Sequence, residues 1–283
     1  MRKLTLIAFT FFLLFIFITN IEDETKESII FFKLDPFVSV EKAVTQLSLG
    51  KIKNSDGYEV NWEVSSTTTD SIYLRQDISL LFEEGILKGV LSDWEDNSQT
   101  LTQAATLSGE DSSRYMSISF HHGEIHTEDE ITSTQAMSKD FLYVIDSSSK
   151  PIHAFKEAVT SEQKEWKDVL DTVSEQQLTQ AWNRTINSFE IPSRNYFSYS
   201  LAELVDIEKF PNFNKDKTQE IIGKLWEGIY KEYFLGIKTY DGSIIPPIGS
   251  TMPLILLAKD SSHLLVLFET ANGEAIRLIQ QIN

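Results

Sequence analysis

Fifteen consecutive residues, Leu4 to Ile18, carry no charge, and this run constrains the chain more than anything after it. It holds Leu6, Ile7, Phe9, Phe11, Phe12, Leu13, Leu14, Phe15, Ile16 and Phe17, with Thr5 and Thr10 as its only hydroxyls. A helix satisfies those hydroxyls on its own carbonyls. Arg2 and Lys3 precede the run and Glu22, Asp23 and Glu24 follow it. That asymmetry keeps the N-terminus cytoplasmic and sends the rest of the chain across a membrane.

The run lies at the upper limit of a signal-peptide core and just under the ~20 residues that span a bilayer. Leu4 to Ile21, with Arg2 and Lys3 snorkelling to the interface, reaches spanning length. A signal peptidase needs small residues, whereas Phe17, Ile18, Thr19, Asn20 and Ile21 are mostly bulky. We therefore expect residues 1–21 to be an uncleaved anchor of a cell-membrane protein with its body outside. Secretion after signal cleavage is the alternative. A buried core helix is a third reading, but core helices are seldom this uniformly apolar.

The chain has no cysteine, which removes disulfides, thiolate metal sites and lipidation on sulfur together. A body of this size buries enough core without disulfides. Exported bacterial proteins often share this economy, and the Lys, Ile, Phe and Asn usage fits such a source. Beyond Arg2 and Lys3 the chain carries 23 cations against 42 anions, a balance of −19. Nucleic acid rewards clustered Lys and Arg, so it is not an expected partner. Anionic lipid headgroups would repel the body. A basic partner remains, as does the plain reading that the charge keeps a surface protein soluble.

Hydrophobic residues make up 41% and aromatics 11%, too much for a solvated tail. Residues 22–35 read as a stalk. Ser39 can cap a helix over Val40 to Leu49, closed by Gly50. Tyr58, Val60, Trp62 and Val64 alternate with polar residues, as in a half-buried strand. Ile72 to Arg75 and Ile78 to Phe82 read as strands, and Glu84-Gly85 turns the chain into Ile86 to Trp94. Tyr115, Ser117 and Ser119 alternate with Met116, Ile118 and Phe120. Gly123 permits a hairpin turn into Ile125 to Ile131, and Phe141 to Ile145 is a short strand. Asn97 to Ser113 and Asp146 to Pro151 are the most linker-like stretches.

The second half changes character. Trp166, Val169, Leu170, Val173, Leu178, Ala181, Trp182 and Ile186 predict a helix over Ser161 to Ser188. Ile221, Ile222, Leu225, Trp226, Ile229, Tyr230 and Phe234 predict another over Asp216 to Leu235, stopped by Gly236. Leu254 to Ala258, Leu264 to Phe268 and Ala275 to Gln281 form a meander whose last turn is Asn272-Gly273. The fold class is α+β: a single N-terminal anchor helix, then a mainly antiparallel-sheet body with two long helices and a C-terminal meander. The division is 1–21 anchor, 22–150 strand-rich half and 151–283 helix-then-meander half, the two halves forming one domain or two.

Chemistry is thinly signalled. His121-His122-Gly123-Glu124-Ile125-His126 would, on an extended strand, present His122, Glu124 and His126 to one side as metal ligands. A hairpin at Gly123 splays them, and an exposed polar tip is the favoured reading. Asp93 to Asn97 begins like a calcium loop, but an EF-hand needs Gly and Glu where Ser98 and Ala104 stand. Gly249-Ser250-Thr251-Met252-Pro253 lacks the spacing of a nucleophile elbow, and Ser250 with His263 is no more than a coincidence of residue types. Ile245 to Gly249 reads as a rigid loop. Lys224, Trp226, Tyr230 and Tyr233 form an aromatic stripe better read as core than as a ligand platform. Asn183-Arg184-Thr185 is a sequon only in form. No phosphate loop, dinucleotide fingerprint or HExxH is present.

No residue is therefore assigned a catalytic, cofactor-binding or metal-binding role. The expectation is a non-enzymatic envelope protein that binds a membrane or envelope partner as a sensor, modulator or assembly factor. An envelope hydrolase with an unfamiliar site and a metal or small-ligand carrier are the alternatives.

Overall fold

The computed structural model describes residues 30–52, 57–147, 150–239 and 242–282, so the expected anchor over 1–21 lies outside the described residues. No helix among them is long and apolar enough to cross a membrane. The body is mixed and mostly antiparallel. A first sheet contains β1 (Val40–Ile52), β2 (Tyr58–Glu83), β3 (Ile86–Gly109), β4 (Ser113–His126), β5 (Ile131–Ser147) and β6 (Lys150–Phe155). A second, in the order β12-β11-β10-β7, contains β7 (Tyr196–Ser200), β10 (Leu254–Ala258), β11 (His263–Glu269) and β12 (Ala275–Gln281). A small ribbon pairs β8 (Ile237–Lys238) with β9 (Ile244–Ile245).

The first sheet is organised by β2, which is 26 residues long. β3 runs beside it over almost its whole length. On its other edge β2 takes two partners in turn, β1 along Tyr58–Thr68 and β4 along Leu74–Glu83. The register breaks between Thr67 and Ile72. Such a break bends a strand and sharpens its twist. The bend carries β1 over the face of β4 and β5, where Leu47 donates its N–H to Asp140 Oδ2 at 2.7 Å.

Helix α1 (Ser161–Ser188) starts at a capping box of Thr160 and Gln163, and α2 (Lys215–Phe234) starts at Asn214, whose side chain accepts the Lys217 N–H. α2 lies between the sheets. Its Ile221, Leu225, Trp226, Ile229 and Tyr233 share one core with Ile78, Leu80, Phe82, Ile118 and Phe120 of the first sheet and Ile255, Leu257, Leu264, Val266 and Phe268 of the second. α1 covers the other face of the second sheet, where Trp182 and Ile186 meet Leu254, Leu256, Leu265 and Leu267. A strand covered on both faces is apolar without alternation, and all of Leu254–Ala258 is buried. The strand-rich and helix-rich halves thus meet in a common core.

Three local expectations fail. Val40 to Leu49 is strand, not helix: Val40, Ala43, Val44 and Leu47 suit either period, and pairing with β2 decides between them. Neither linker-like stretch is one: β3 runs through Asn97 to Gly109, and Ser147 of β5 pairs with Lys150 of β6 within Asp146 to Pro151. Gly123 makes no turn. β4 passes straight through it to His126, and the turn comes at Thr127–Glu130, where the Thr127 N–H reaches the Glu130 carbonyl at 3.0 Å. Gly123 serves space instead, because a Cβ there would lie 2.0 Å from Ile72 Cδ1. The expected stalk is docked over its last residues: Leu34 bridges Ser133 in parallel, and Phe31 fills the space beside Gly223.

Candidate functional site

Alternation along β2 and β4 gives the sheet two different buried faces. Ile78, Leu80, Phe82, Ile118 and Phe120 point to α2, while Asp77, Ser79, Ser117, Ser119 and His121 point to the space beneath β1. There they form a continuous hydrogen-bonded chain. Asp77 Oδ2 accepts from Ser66 Oγ at 2.6 Å and lies 2.8 Å from His121 Nδ1. His121 Nε2 is 2.8 Å from Ser138 Oγ. Ser138 meets Thr45 Oγ1 at 2.6 Å, Thr45 meets Ser119 at 2.5 Å, and Ser119 meets Ser79 at 2.6 Å.

With Asp77 as the acceptor, His121 carries its proton on Nδ1. A neutral ring leaves Nε2 to accept from Ser138, with Thr45 donating to Ser138 and Ser119 to Thr45. Arg75 closes the other end. It donates to Ser66, to Thr68 Oγ1 at 3.1 Å and to the Gln99 carbonyl at 2.8 Å, and its Nη2 lies 3.9 Å from Asp77 Oδ1. Burial pulls the guanidinium below its ordinary pKa while Asp77 and Glu95 push it back up. Asp77 Oδ1 and Arg75 Nε make no hydrogen bond.

Asp77, His121 and Ser138 have the order and spacing of an acid–histidine–serine triad. Catalysis also needs room for an acyl group beside the serine and donors for its oxyanion. The Thr45 hydroxyl occupies the approach to Ser138, and Asp77 and His121 are fully buried. A cleft of about 820 Å³ lies between residues 31–36 and the start of α2. Another of about 470 Å³ is lined by Glu83, Glu84, Glu110 and Asp111. Neither they nor the two clefts beside α1 are lined by any member of the triad.

The residues singled out in the sequence are scattered. His122, Glu124 and His126 do share a strand face, but only the last two meet, with His126 Nε2 3.0 Å from Glu124 Oε2. His126 stacks on Tyr73 with ring centroids 3.8 Å apart. His122 lies deep under α2, stacked toward Phe120, and burial pulls its pKa down to about 4. No group of three metal-ligating side chains occurs among the described residues. Ser250 donates to the Pro247 carbonyl while His263 bonds Tyr196 and Ser262. Trp226, Tyr230 and Tyr233 are core, with Trp226 stacked 5.2 Å from Phe120, and Lys224 pairs with Glu220 at the surface. Asp93 to Asn97 lie exposed on β3.

Of the triad, sequence reasoning noticed only His121, and for its position beside His122. Asp77 lies 44 residues before it and Ser138 17 after it, and no local motif links them. The one visible trace is the polar alternation Ser117, Ser119, His121.

No family model matches the sequence, and no curated protein matches it. Among solved structures, a glycosyl hydrolase family 2 member from Bacteroides cellulosilyticus aligns with 41% of this chain at 10% identity and a TM-score of 0.25. The chain spans 17% of that protein's length. A likeness of that size carries no argument about fold or activity.

Proposed function

We propose that the chain is a membrane-tethered extracytoplasmic protein that works by binding another membrane or envelope protein. One observation carries this reading: in the most catalytic-looking constellation, Asp77–His121–Ser138, the acid and the imidazole are fully buried beneath β1 and the Thr45 hydroxyl lies 2.6 Å from Ser138 Oγ. Its fully partnered hydroxyls suit a scaffold that fixes β1 over β4 and β5. The charge-flanked run of residues 1–21 supplies the tether. Residues 30–35 then lie against β5 through the Leu34–Ser133 bridge, with the Asp35 N–H on the Ser133 carbonyl at 2.8 Å. Docking that segment fixes which part of the body leads back toward the anchor. Confinement to a surface raises the effective concentration of a partner in the same membrane.

Chemical cross-linking in intact cells tests this, with tagged full-length protein recovered and identified by mass spectrometry. The expected result is one dominant membrane or envelope partner, lost when residues 1–21 are exchanged for a cleavable signal. A preparation without a partner, or full function from an untethered body in a deletion strain, overturns it. The triad geometry itself favours a second reading, a hydrolase acting through Ser138.

A further inference from the structure

We propose that the outer edge of β3 is a strand-addition site for an extended, Lys- or Arg-bearing segment of a partner protein; this rests on the binding reading and names its surface. β3 is 24 residues long, and β2 is its only strand partner among the described residues. Its first residues are covered: the Leu87 N–H reaches the Ser250 carbonyl at 2.8 Å, and the Gly249 N–H reaches the Leu87 carbonyl at 2.8 Å. Between Val90 and Asp96 no β3 backbone group bonds the backbone of a described residue outside β2, and the one N–H there held by a side chain is that of Trp94, which reaches Asp93 Oδ1 at 2.9 Å. A row of open N–H and C=O groups is a template for another strand.

The side chains choose the occupant. Ser92 to Asn97 are all exposed, and they include Asp93, Glu95 and Asp96, none of which is in a salt bridge among the described residues. Trp94, 46% exposed, adds an apolar handle. The straight acidic stretch ends at Asn97, whose backbone is left-handed at φ 47. Natural edges are usually guarded by charge against unwanted pairing. Here the guard is acidic, so it repels a second copy of this chain, itself at −17, and attracts a cationic strand.

The probe is a labelled alternating Lys–Val peptide, titrated by fluorescence polarisation against the full-length protein in neutral detergent. Controls are an alternating Glu–Val peptide and a peptide of equal positive charge interrupted by prolines, which cannot join a sheet. The Lys–Val peptide is expected to bind and both controls to fail. Asp93→Lys with Glu95→Lys and Asp96→Lys should weaken binding about tenfold or more without moving the melting temperature.

Neighbouring strand residues alternate in which edge their N–H faces. Of Ser92→Pro and Asp93→Pro (the second read against Asp93→Ala), one should therefore abolish binding at unchanged stability and the other should destabilise the β2 pairing. Equal binding of the proline-interrupted peptide, or no effect of the triple charge reversal, overturns the proposal. If cells yield a tethered partner whose cross-links fall elsewhere on the body, the edge assignment fails alone. If they yield no partner, the binding reading fails with it.

Discussion

The two faces that β2 and β4 bury differ in kind. Toward α2 the layer is apolar, with Phe120 stacked on Trp226 and Ile78, Leu80, Phe82 and Ile118 around them. Toward β1 the layer is mixed: hydroxyls, an imidazole, a carboxylate and a guanidinium lie beside an apolar patch of Leu47, Trp62, Val64, Leu81 and Tyr115. Alternation of polar and apolar residues ordinarily marks one wet face and one dry one. Here Ser117, Ser119 and His121 are as buried as Ile118 and Phe120. The apolar face gains stability from area removed from water, without fixing direction. The polar face gains little net from each bond, but it penalises every arrangement that leaves a group unpaired. Small hydroxyl side chains also let β1 approach closely enough for Thr45 to touch both Ser119 and Ser138. One face supplies adhesion alone, and the other adds to its apolar patch a set of polar pairings that fix register.

The largest effect that separates them comes from charge. Asp77→Ala leaves Arg75 buried without its carboxylate and strands Ser66 and His121, and we expect a loss of about 3–5 kcal/mol in urea unfolding. Trp226→Ala on the apolar face should lose a similar amount, about 3–5 kcal/mol, through its cavity. The second substitutions tell the faces apart. Adding Arg75→Met to an Asp77→Leu variant should recover much of the loss, because both charges then leave together. No second substitution refills the Trp226 cavity in the same way. If Asp77→Ala costs under about 1 kcal/mol, the polar layer does not hold β1 in place and the contrast collapses.

A smaller effect sharpens the comparison from the apolar side, where His122 is the exception. Burial lowers its pKa from 6.5 to about 4, so the folded protein keeps it neutral while the unfolded chain protonates it below about pH 6.5. The unfolded state then binds more protons. The stability that His122 contributes is complete above pH 6.5 and lost as the pH falls toward 4, by up to about 3 kcal/mol. His122→Leu should flatten the urea midpoint against pH between those limits. An unchanged slope in that variant would assign the acid sensitivity to other groups.

Legibility followed the range of the interactions. The helices and the meander are readable because their signals are local: a stripe at Leu170, Leu178 and Ala181, another at Ile221, Leu225 and Ile229, and a Gly at position 273 of the last turn. β1 was misread because Val40, Ala43, Val44 and Leu47 satisfy a helical period, and only the pairing of Leu47 with Trp62 makes them a strand. Gly123 looked like a turn because glycine suits both tight turns and tight packing, and the choice is made by Ile72, 51 positions earlier in the sequence. The hydroxyl chain left almost no trace. Asp77, His121, Ser138 and Thr45 come from four strands, and only the bend in β2 assembles them. The histidines that drew notice did so by adjacency, which on a strand sends His121 and His122 to opposite cores.

The smallest effect addresses the serine that most resembles a nucleophile. If Ser138 is one link in a register-fixing chain, Ser138→Ala removes two neutral hydrogen bonds from a partly buried position, and about 1 kcal/mol of stability should go with them. Native protein should also resist labelling by a fluorophosphonate, since the Thr45 hydroxyl, 2.6 Å from Ser138 Oγ, stands where the phosphorus would arrive. A hydrolase predicts the reverse on both counts. An activated serine is labelled in the folded state, labelling disappears in Ser138→Ala, and stability barely moves because the site holds strain rather than adhesion. Thr45→Val tells a blocked triad from an inert one. It removes the hydroxyl, keeps the shape, and leaves His121 Nε2 as the acceptor for Ser138. Labelling that appears only in that variant would mean that β1 masks a working triad, and labelling absent from both would leave Ser138 as structure alone.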